Sequence, residues 1–399
     1  MRFRHFRGFW LSALTLCLAF GPSCRDGGPA SGDESLIVSN EGRNGPGPRL
    51  AMDFSGIEKP AGPADFAAAF HLPPVRQGDT GTCWAFAATS LLESELARMG
   101  RSAVKLSEMH TAYWEYVEKA RRFITEKGNS FLGQGSEPNS ALARIKQYGL
   151  VRAEDYTGLL PGATVHDHGP LFREFKNFLA AAEAEGDWDE ERVLSGVRGL
   201  LDRHMGRPPE TIVVEGRTLT PREYLDALGL RPDDYVSFLS FRHLPFYSRG
   251  EFRVPDNWWR SADYHNLPLE EFTAALQGAL SRGFTAALAV DFSEPGYSGE
   301  NDAAVVPGFD IPGEWISQSS REFRFSNGTS TDDHAVHCVG FKRAKSGDWY
   351  LIKDSWKNAY EGTHKGYFFY RGDYLRLKGL MFLVHKDAVG DFLAKFPRR

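Results

Sequence analysis

The chain changes character near Phe284, and this change limits the folds that it can adopt. Before that point the apolar residues recur mostly at helical spacing, and Val193, Val197 and Leu200 form one such face. After it come five short runs rich in β-branched and aromatic residues, at 285–291, 334–341, 349–353, 366–371 and 377–385. Helices first and strands last predict an α+β protein with a helical half and a sheet half.

The first 24 residues have the pattern of an export signal. Several arginines precede an apolar run over 8–21, which is too short to span a bilayer. Cys24 follows in the sequence GPSC, a context typical of lipoprotein processing, so we expect a lipid on Cys24 that tethers the protein to a membrane surface. Ordinary cleavage nearby is the alternative. In both cases we expect an exported protein of the periplasm or cell envelope.

Composition after the signal narrows the class of protein further. Residues 25–62 are rich in Gly, Pro, Ser and charge, which predicts a flexible linker before a folded domain at 63–399. A formal charge of −5 and a pI near 6.2 argue against nucleic acid as a partner. The chain has four cysteines, and Cys17 leaves with the signal, so too few remain for a disulfide framework.

The sequence QGDTGTCW, from Gln77 to Trp84, places a cysteine where a nucleophile would be activated. A glycine-punctuated loop leads into Cys83, and the apolar residues that follow keep helical spacing up to Gly100. Cys83 is therefore predicted in the first turn of a buried helix, where unpaired N–H groups and the helix dipole favour the reactive thiolate. The Gln77 amide would donate to an oxyanion beside the sulfur. A buried structural cysteine is the alternative.

A thiolate nucleophile needs a base, and the base needs an orienting partner. His334 begins the predicted strand in DHAVHCVGF, and Asp354 ends the next one in WYLIKDSW. Neighbouring strands would bring the Asp354 carboxylate beside the His334 ring, with Trp356 shielding the contact from water. A histidine or an aspartate in such a position is, on its own, more often an ordinary surface or core residue than a catalytic one. The hypothesis depends on finding both together with Cys83.

Five motifs in the chain resemble those of papain-like cysteine peptidases, in the same order: QGDTGTCWAFA, LSE, GQGSEPNSALARIKQYGL, DHAVHCVGF and WYLIKDSW. Thr80 stands where secreted papain-like enzymes carry a disulfide cysteine, which resembles the bleomycin hydrolase and aminopeptidase C branch. The sequence HKGY at 364–367 and the ending LKGLMFLVHKDAV resemble the same branch. Cys83 and His334 are farther apart than the about 130–150 residues of the minimal papain layout, and the surplus matches a helical insertion at about 165–283, where this branch has one.

The resemblance implies a two-lobed, papain-like fold, in which a helical lobe carries the cysteine helix and the other lobe is β-rich and barrel-like. It implies roles for five residues: Cys83 as the nucleophile, His334 as base and then acid, Asp354 as the orienting residue, Trp356 as its cover, and Gln77 as an oxyanion donor together with the Cys83 amide. Catalysis of this kind needs no metal or organic cofactor. The expected partners are peptide substrates and, as the branch often forms closed hexamers, further copies of the chain.

Two departures from the family leave the function open. The family usually has Asn where this chain has Asp354, so a catalytically impaired, peptide-binding surface lipoprotein is an alternative to an active peptidase. The basic end KFPRR is short for the arm with which longer members read a substrate's free amine, so aminopeptidase specificity is open. An amidase or transpeptidase with the same triad is a further alternative. We expect short peptides as substrates, because the insertion would wall the cleft.

Other candidate residues carry less weight. Cys338 lies in an apolar strand and is predicted to be a buried small residue. The HDH motif at 166–168 has no further ligands at a convincing metal spacing. Asp332 and Asp333 are predicted to be solvated loop residues, and tuning of the pKa of the neighbouring His334 is the alternative.

Overall fold

The computed structural model of the protein describes residues 36–39 and 49–397. The predicted signal at 1–24 and the predicted lipid attachment at Cys24 lie outside the described residues. No helix in the described part of the chain combines the length and the apolar character that crossing a bilayer requires.

The helices follow the apolar periodicity of the sequence. They are α1 Cys83–Arg98, α2 Glu108–Thr125, α3 Pro138–Tyr148, α4 Gly169–Glu185, α5 Glu190–Met205, α6 Pro221–Leu228, α7 Leu269–Ser281, α8 Gln318–Ser326, α9 Gly372–Lys378 and α10 Gly390–Leu393. A capping box starts α6, where the sequence TPRE has the pattern typical of one, because the side chains of Thr220 and Glu223 each accept from the other's backbone N–H. Gly229 ends α6 in a left-handed conformation.

The strands form one large sheet and two small hairpins. They are β1 Leu36–Ser39, β2 Arg49–Met52, β3 Ala67–Ala68, β4 Ile212–Val214, β5 Arg217–Leu219, β6 Tyr235–Leu239, β7 Arg249–Gly250, β8 Tyr264–Asn266, β9 Ala286–Val290, β10 Tyr297–Ser298, β11 Ala303–Ala304, β12 His334–Lys342, β13 Trp349–Lys353, β14 Tyr367–Arg371 and β15 Gly379–His385. The large sheet runs β10-β11-β14-β13-β12-β9-β15-β6-β8-β7, with β3 paired to β12, and most of its pairs are antiparallel. The hairpins are β1–β2 and β4–β5.

The region predicted as a helical insertion at about 165–283 is helical only in part. α4, α5, α6 and α7 lie within it, but β4 and β5 form a hairpin, and β6 and β8 join the large sheet. The sequence YVSFL of β6 is short and almost fully buried, so it carries no alternation that would separate a strand from a buried helix segment. Likewise, the predicted strand at 377–385 begins as the last turn of α9 and becomes β15 only at Gly379.

The folded part begins earlier than the predicted boundary at residue 63. Met52 is buried and packs in one apolar cluster with Phe66 and Phe369. Lys59 donates to the carbonyl of Asn301, so this stretch is held against the sheet half. The prediction of a flexible linker over 25–62 therefore does not hold for 52–62, where a few apolar side chains anchor a segment of otherwise polar composition.

α1 lies in the interior and connects the two halves of the protein. It packs against β12 and β9 on one side and against α3 and α2 on the other. Trp84, Ala88 and Leu96 are fully buried along it, as helical spacing predicted. Helices cover one side of α1 and the sheet covers the other. Close packing on both sides therefore fixes the position of its first turn.

Candidate active site

Cys83 is the first residue of α1, as predicted, and its side chain remains partly exposed. The preceding loop is anchored on both sides. Gly81 N–H donates to Oε1 of Gln134 at 2.8 Å, and the Trp84 ring N–H donates to the Gln134 carbonyl at 3.1 Å. The sulfur is thereby held at the helix N-terminus, where the dipole favours a negative charge.

His334 and Asp354 meet because they lie at the ends of adjacent antiparallel strands, β12 and β13. His334 Nε2 lies 2.7 Å from Asp354 Oδ1, and both side chains are buried. The other ring nitrogen is left for Cys83, which lines the same cavity as His334. The structure thus brings together the three residues that the sequence singled out as sulfur, imidazole and carboxylate.

Asp354 accepts two further hydrogen bonds. The Trp356 backbone N–H donates to Oδ1 at 2.8 Å, and the Tyr297 hydroxyl donates to Oδ2 at 3.3 Å. Tyr297 was not identified from the sequence, and only its place in the short strand β10 brings it to this carboxylate. A buried carboxylate with this many donors is held in one orientation.

The environment of the His334 ring favours its charged form. Burial lowers the pKa of His334, but the negative charges of Asp354 and Cys83 and the hydrogen bonds to both outweigh burial and raise the pKa to about 10. An imidazolium beside a thiolate is the ion pair that a cysteine nucleophile uses.

Gln77 is fixed beside the same residues. Its Nε2 donates to the Thr80 carbonyl at 2.6 Å, and its Oε1 accepts from the Ser355 hydroxyl at 2.7 Å. Its backbone N–H donates to the Ser355 carbonyl at 2.9 Å, which ties the loop before Cys83 to the residue after Asp354. One of the two Nε2 hydrogens remains for an incoming group.

A cavity of about 570 Å³ opens beside these side chains. It is lined by Gln77, Cys83, Gln134, Phe292, His334 and Trp356, among others. Trp356 is half-buried and forms part of the wall, consistent with the predicted shielding position. The volume lies within the range of about 300–1,000 Å³ typical of ligand pockets.

A carboxyl pair next to the site was missed by sequence reasoning. Glu137, which directly precedes α3, is fully buried, neither of its carboxyl oxygens has a hydrogen-bond partner among the described residues, and the negative charge of Asp332 acts on it. Burial raises the pKa of Glu137, and burial raises the pKa of Asp332 to about 7. Asp332 was expected to be solvated, but the folded protein leaves it only partly exposed.

Neither Cys338 nor the HDH motif at 166–168 lines this cavity. Cys338 is fully buried in β12, as predicted. His168, of the HDH motif, is bound through Nδ1 by the Tyr116 hydroxyl at 2.9 Å. Among the described residues, no group of three or more His, Cys, Asp or Glu is arranged to hold a metal ion.

Comparison with known proteins identifies the fold. No protein-family model and no curated protein matches this chain. The chain is similar to the crystal structure of PepW from Lactobacillus rhamnosis HN001, with a TM-score of 0.64 and 16% sequence identity over 82% of this chain and 83% of PepW. The predicted α+β, papain-like fold is confirmed. At this identity the likeness concerns the fold alone.

Proposed function

We propose that the protein is a cysteine peptidase that hydrolyses peptide bonds through Cys83, His334 and Asp354. The observation that carries the proposal is that Cys83, at the N-terminus of α1, lines one cavity with His334, whose ring nitrogen Nε2 lies 2.7 Å from the buried Asp354 carboxylate. A papain-like fold around these three residues supports a peptidase at the level of the fold.

The chemistry follows from these positions. The Cys83 thiolate attacks the peptide carbonyl, and the resulting oxyanion accepts from the Gln77 amide and the Cys83 backbone N–H. The His334 imidazolium gives its proton to the leaving amine, which leaves a thioester on Cys83. A water molecule then loses a proton to His334 and attacks the thioester, releasing the second product and the thiolate.

Short peptides are the proposed substrates.

We also propose an exported location with a lipid on Cys24. Mass spectrometry of the mature N-terminus tests this location. A diacylated Cys24 supports the lipid anchor, whereas an unmodified terminus nearby supports ordinary cleavage.

The decisive test compares Cys83→Ala with Cys338→Ala on fluorogenic peptides. We expect Cys83→Ala to lower kcat/KM at least about a thousandfold and to abolish labelling by a thiol-directed epoxide. Cys338→Ala is the matched control and should keep both. Wild-type protein that neither cleaves peptides nor takes the label contradicts the proposal and favours a peptide-binding protein with an inactive cleft.

The same assay separates exopeptidase from endopeptidase and from acyl transfer. Equal cleavage of free-amine and N-blocked peptides contradicts aminopeptidase specificity. Accumulation of an amide product when an amine nucleophile is added identifies a transpeptidase.

A further inference from the structure

A second cavity, of about 710 Å³, lies on the helical half between α2, α3, α5 and the start of α6. None of the residues assigned to the peptidase site lines it. Its volume also lies in the range of about 300–1,000 Å³ typical of sites for small organic molecules.

One wall carries a buried hydrogen-bond donor without a partner. His110 is 1% exposed, and its Nε2 accepts from the Trp114 ring N–H at 3.2 Å. A neutral imidazole that accepts at Nε2 carries its proton on Nδ1, and burial lowers the pKa of His110 to about 4, which keeps the ring neutral. Nδ1 has no hydrogen-bond partner in the described protein and is closed off from solvent, so a ligand acceptor reaches this donor only after the ring moves.

A half-buried arginine of the lining, Arg198, is uncommitted. Arg198 has Asp202 one helical turn away, a spacing at which such pairs commonly form. Asp202 instead accepts from the Tyr113 hydroxyl at 2.7 Å, and the Arg198 guanidinium has no ion pair or hydrogen bond with any described residue. A guanidinium left unpaired in a cavity favours an anionic ligand that binds its N–H groups in a fork.

The rim adds positive charge. Arg222, at the start of α6, lines the cavity and likewise has no side-chain partner among the described residues. Arg207 is paired with Glu210 at 2.5 Å, so the second carboxylate of the lining is also engaged. The uncommitted charged groups of the lining are therefore cations.

The remaining lining is aromatic or apolar. Trp114 stacks on Tyr148 with ring centroids 4.1 Å apart, and Pro208 and Pro209 complete that part of the wall. We propose that this cavity is a binding site for a small organic anion, with a carboxylate held by Arg198 and Arg222 and an aromatic body packed against Trp114 and the prolines. The site is independent of the proposed peptidase chemistry.

Isothermal titration calorimetry of the full chain with three probes tests the proposal. Naphthalene-2-carboxylate has both the negative charge and the aromatic ring system. Naphthalene-2-carboxamide has the ring system without the charge, and acetate has the charge without the ring system. We expect saturable one-to-one binding of the carboxylate and at least about tenfold weaker binding of the other two.

Matched variants locate the binding. Arg198→Met keeps the apolar stem and should weaken carboxylate binding about tenfold. Arg203→Met, on the same helix but in an exposed ion pair with Glu174, should leave binding unchanged. If Arg198→Met does not fold, as judged by circular dichroism, the exposed Arg222→Met takes its place. Absent saturable binding, equal binding of the carboxamide, or an equal loss in Arg203→Met overturns the proposal.

Discussion

At the scale of single residues, the most consequential difference from the papain-like pattern is the carboxylate at Asp354. An amide at that position would accept the imidazole N–H, but it would bring no charge. Here a buried carboxylate lies 2.7 Å from the ring and contributes to raising the pKa of His334 to about 10. The imidazolium, and with it the proposed thiolate–imidazolium pair, therefore persists further into the alkaline range.

We expect Asp354→Asn to move the alkaline limb of the pH–activity profile to lower pH. The reason is that loss of the negative charge lowers the pKa of His334, so the ring gives up its proton earlier as the pH rises. The measurement is kcat/KM from mildly acidic to strongly alkaline pH. Asp333→Asn, which removes an exposed carboxylate of the cavity wall, should move the limb less. An unchanged or higher alkaline limb in Asp354→Asn contradicts this account.

At the scale of elements, the loop from Gln77 to Thr82 sets the relation between the proposed oxyanion donor and the nucleophile. Gly78 has a φ of 73°, and a Cβ there would lie 2.4 Å from the His166 carbonyl oxygen. That carbonyl accepts from the Asp79 N–H at 2.8 Å, so the loop is hydrogen-bonded to the segment before α4. The position needs glycine both for its conformation and for this close approach.

Gly78→Ala is expected to lower stability by more than the roughly 1–2 kcal/mol of a strained backbone alone and to reduce peptidase activity. Gly100→Ala is the control, because Gly100 has the same φ of 73° but a Cβ added there would meet no atom within 4 Å. Thermal unfolding and kcat/KM of both variants make the comparison. Equal losses of stability and activity would show that the contact with His166 contributes nothing.

At the scale of the whole molecule, a buried carboxyl pair joins the helical half to the sheet half. Glu137 directly precedes α3, whereas Asp332 precedes β12, and the negative charge of Asp332 acts on the buried Glu137 carboxyl. The unfolded chain releases the Glu137 proton near its ordinary pKa of about 4.3, but the folded protein retains it to a higher pH. Folding therefore becomes less favourable as the pH rises through that interval, because the folded state then binds more protons.

Glu137→Gln should raise the Tm at mildly alkaline pH and have little effect at a pH below the ordinary pKa of glutamate. Glutamine keeps the shape and a donor toward Asp332 but cannot ionise, so the alkaline penalty disappears. Each kcal/mol gained corresponds to a Tm change of about 2–4 °C. The exposed Glu191→Gln on α5 is the control and should show no pH-dependent difference. A Glu137→Gln variant less stable than wild type at alkaline pH contradicts the assignment.

Features that a local sequence pattern encodes could be predicted from the sequence. Contacts between residues that lie far apart in the chain could not. α1, α3 and the cap of α6 carry their own periodicity and end signals. His334 and Asp354 were predictable as a pair because consecutive strands usually pair. Glu137 and Asp332 are far apart in sequence, and no local pattern marks either one as a partner. β6 was missed because a short, buried strand resembles a buried helix segment.

The two cysteines of the described chain are both unbridged, and only Cys83 reaches the surface. No disulfide joins these two residues, so a reductant that keeps the Cys83 sulfur reactive breaks no bond between them. We therefore expect millimolar thiol to leave the stability of this part of the protein unchanged. For the same reason, an alkylating reagent should modify one cysteine within residues 49–397 of the native protein. The second cysteine should react only after denaturation.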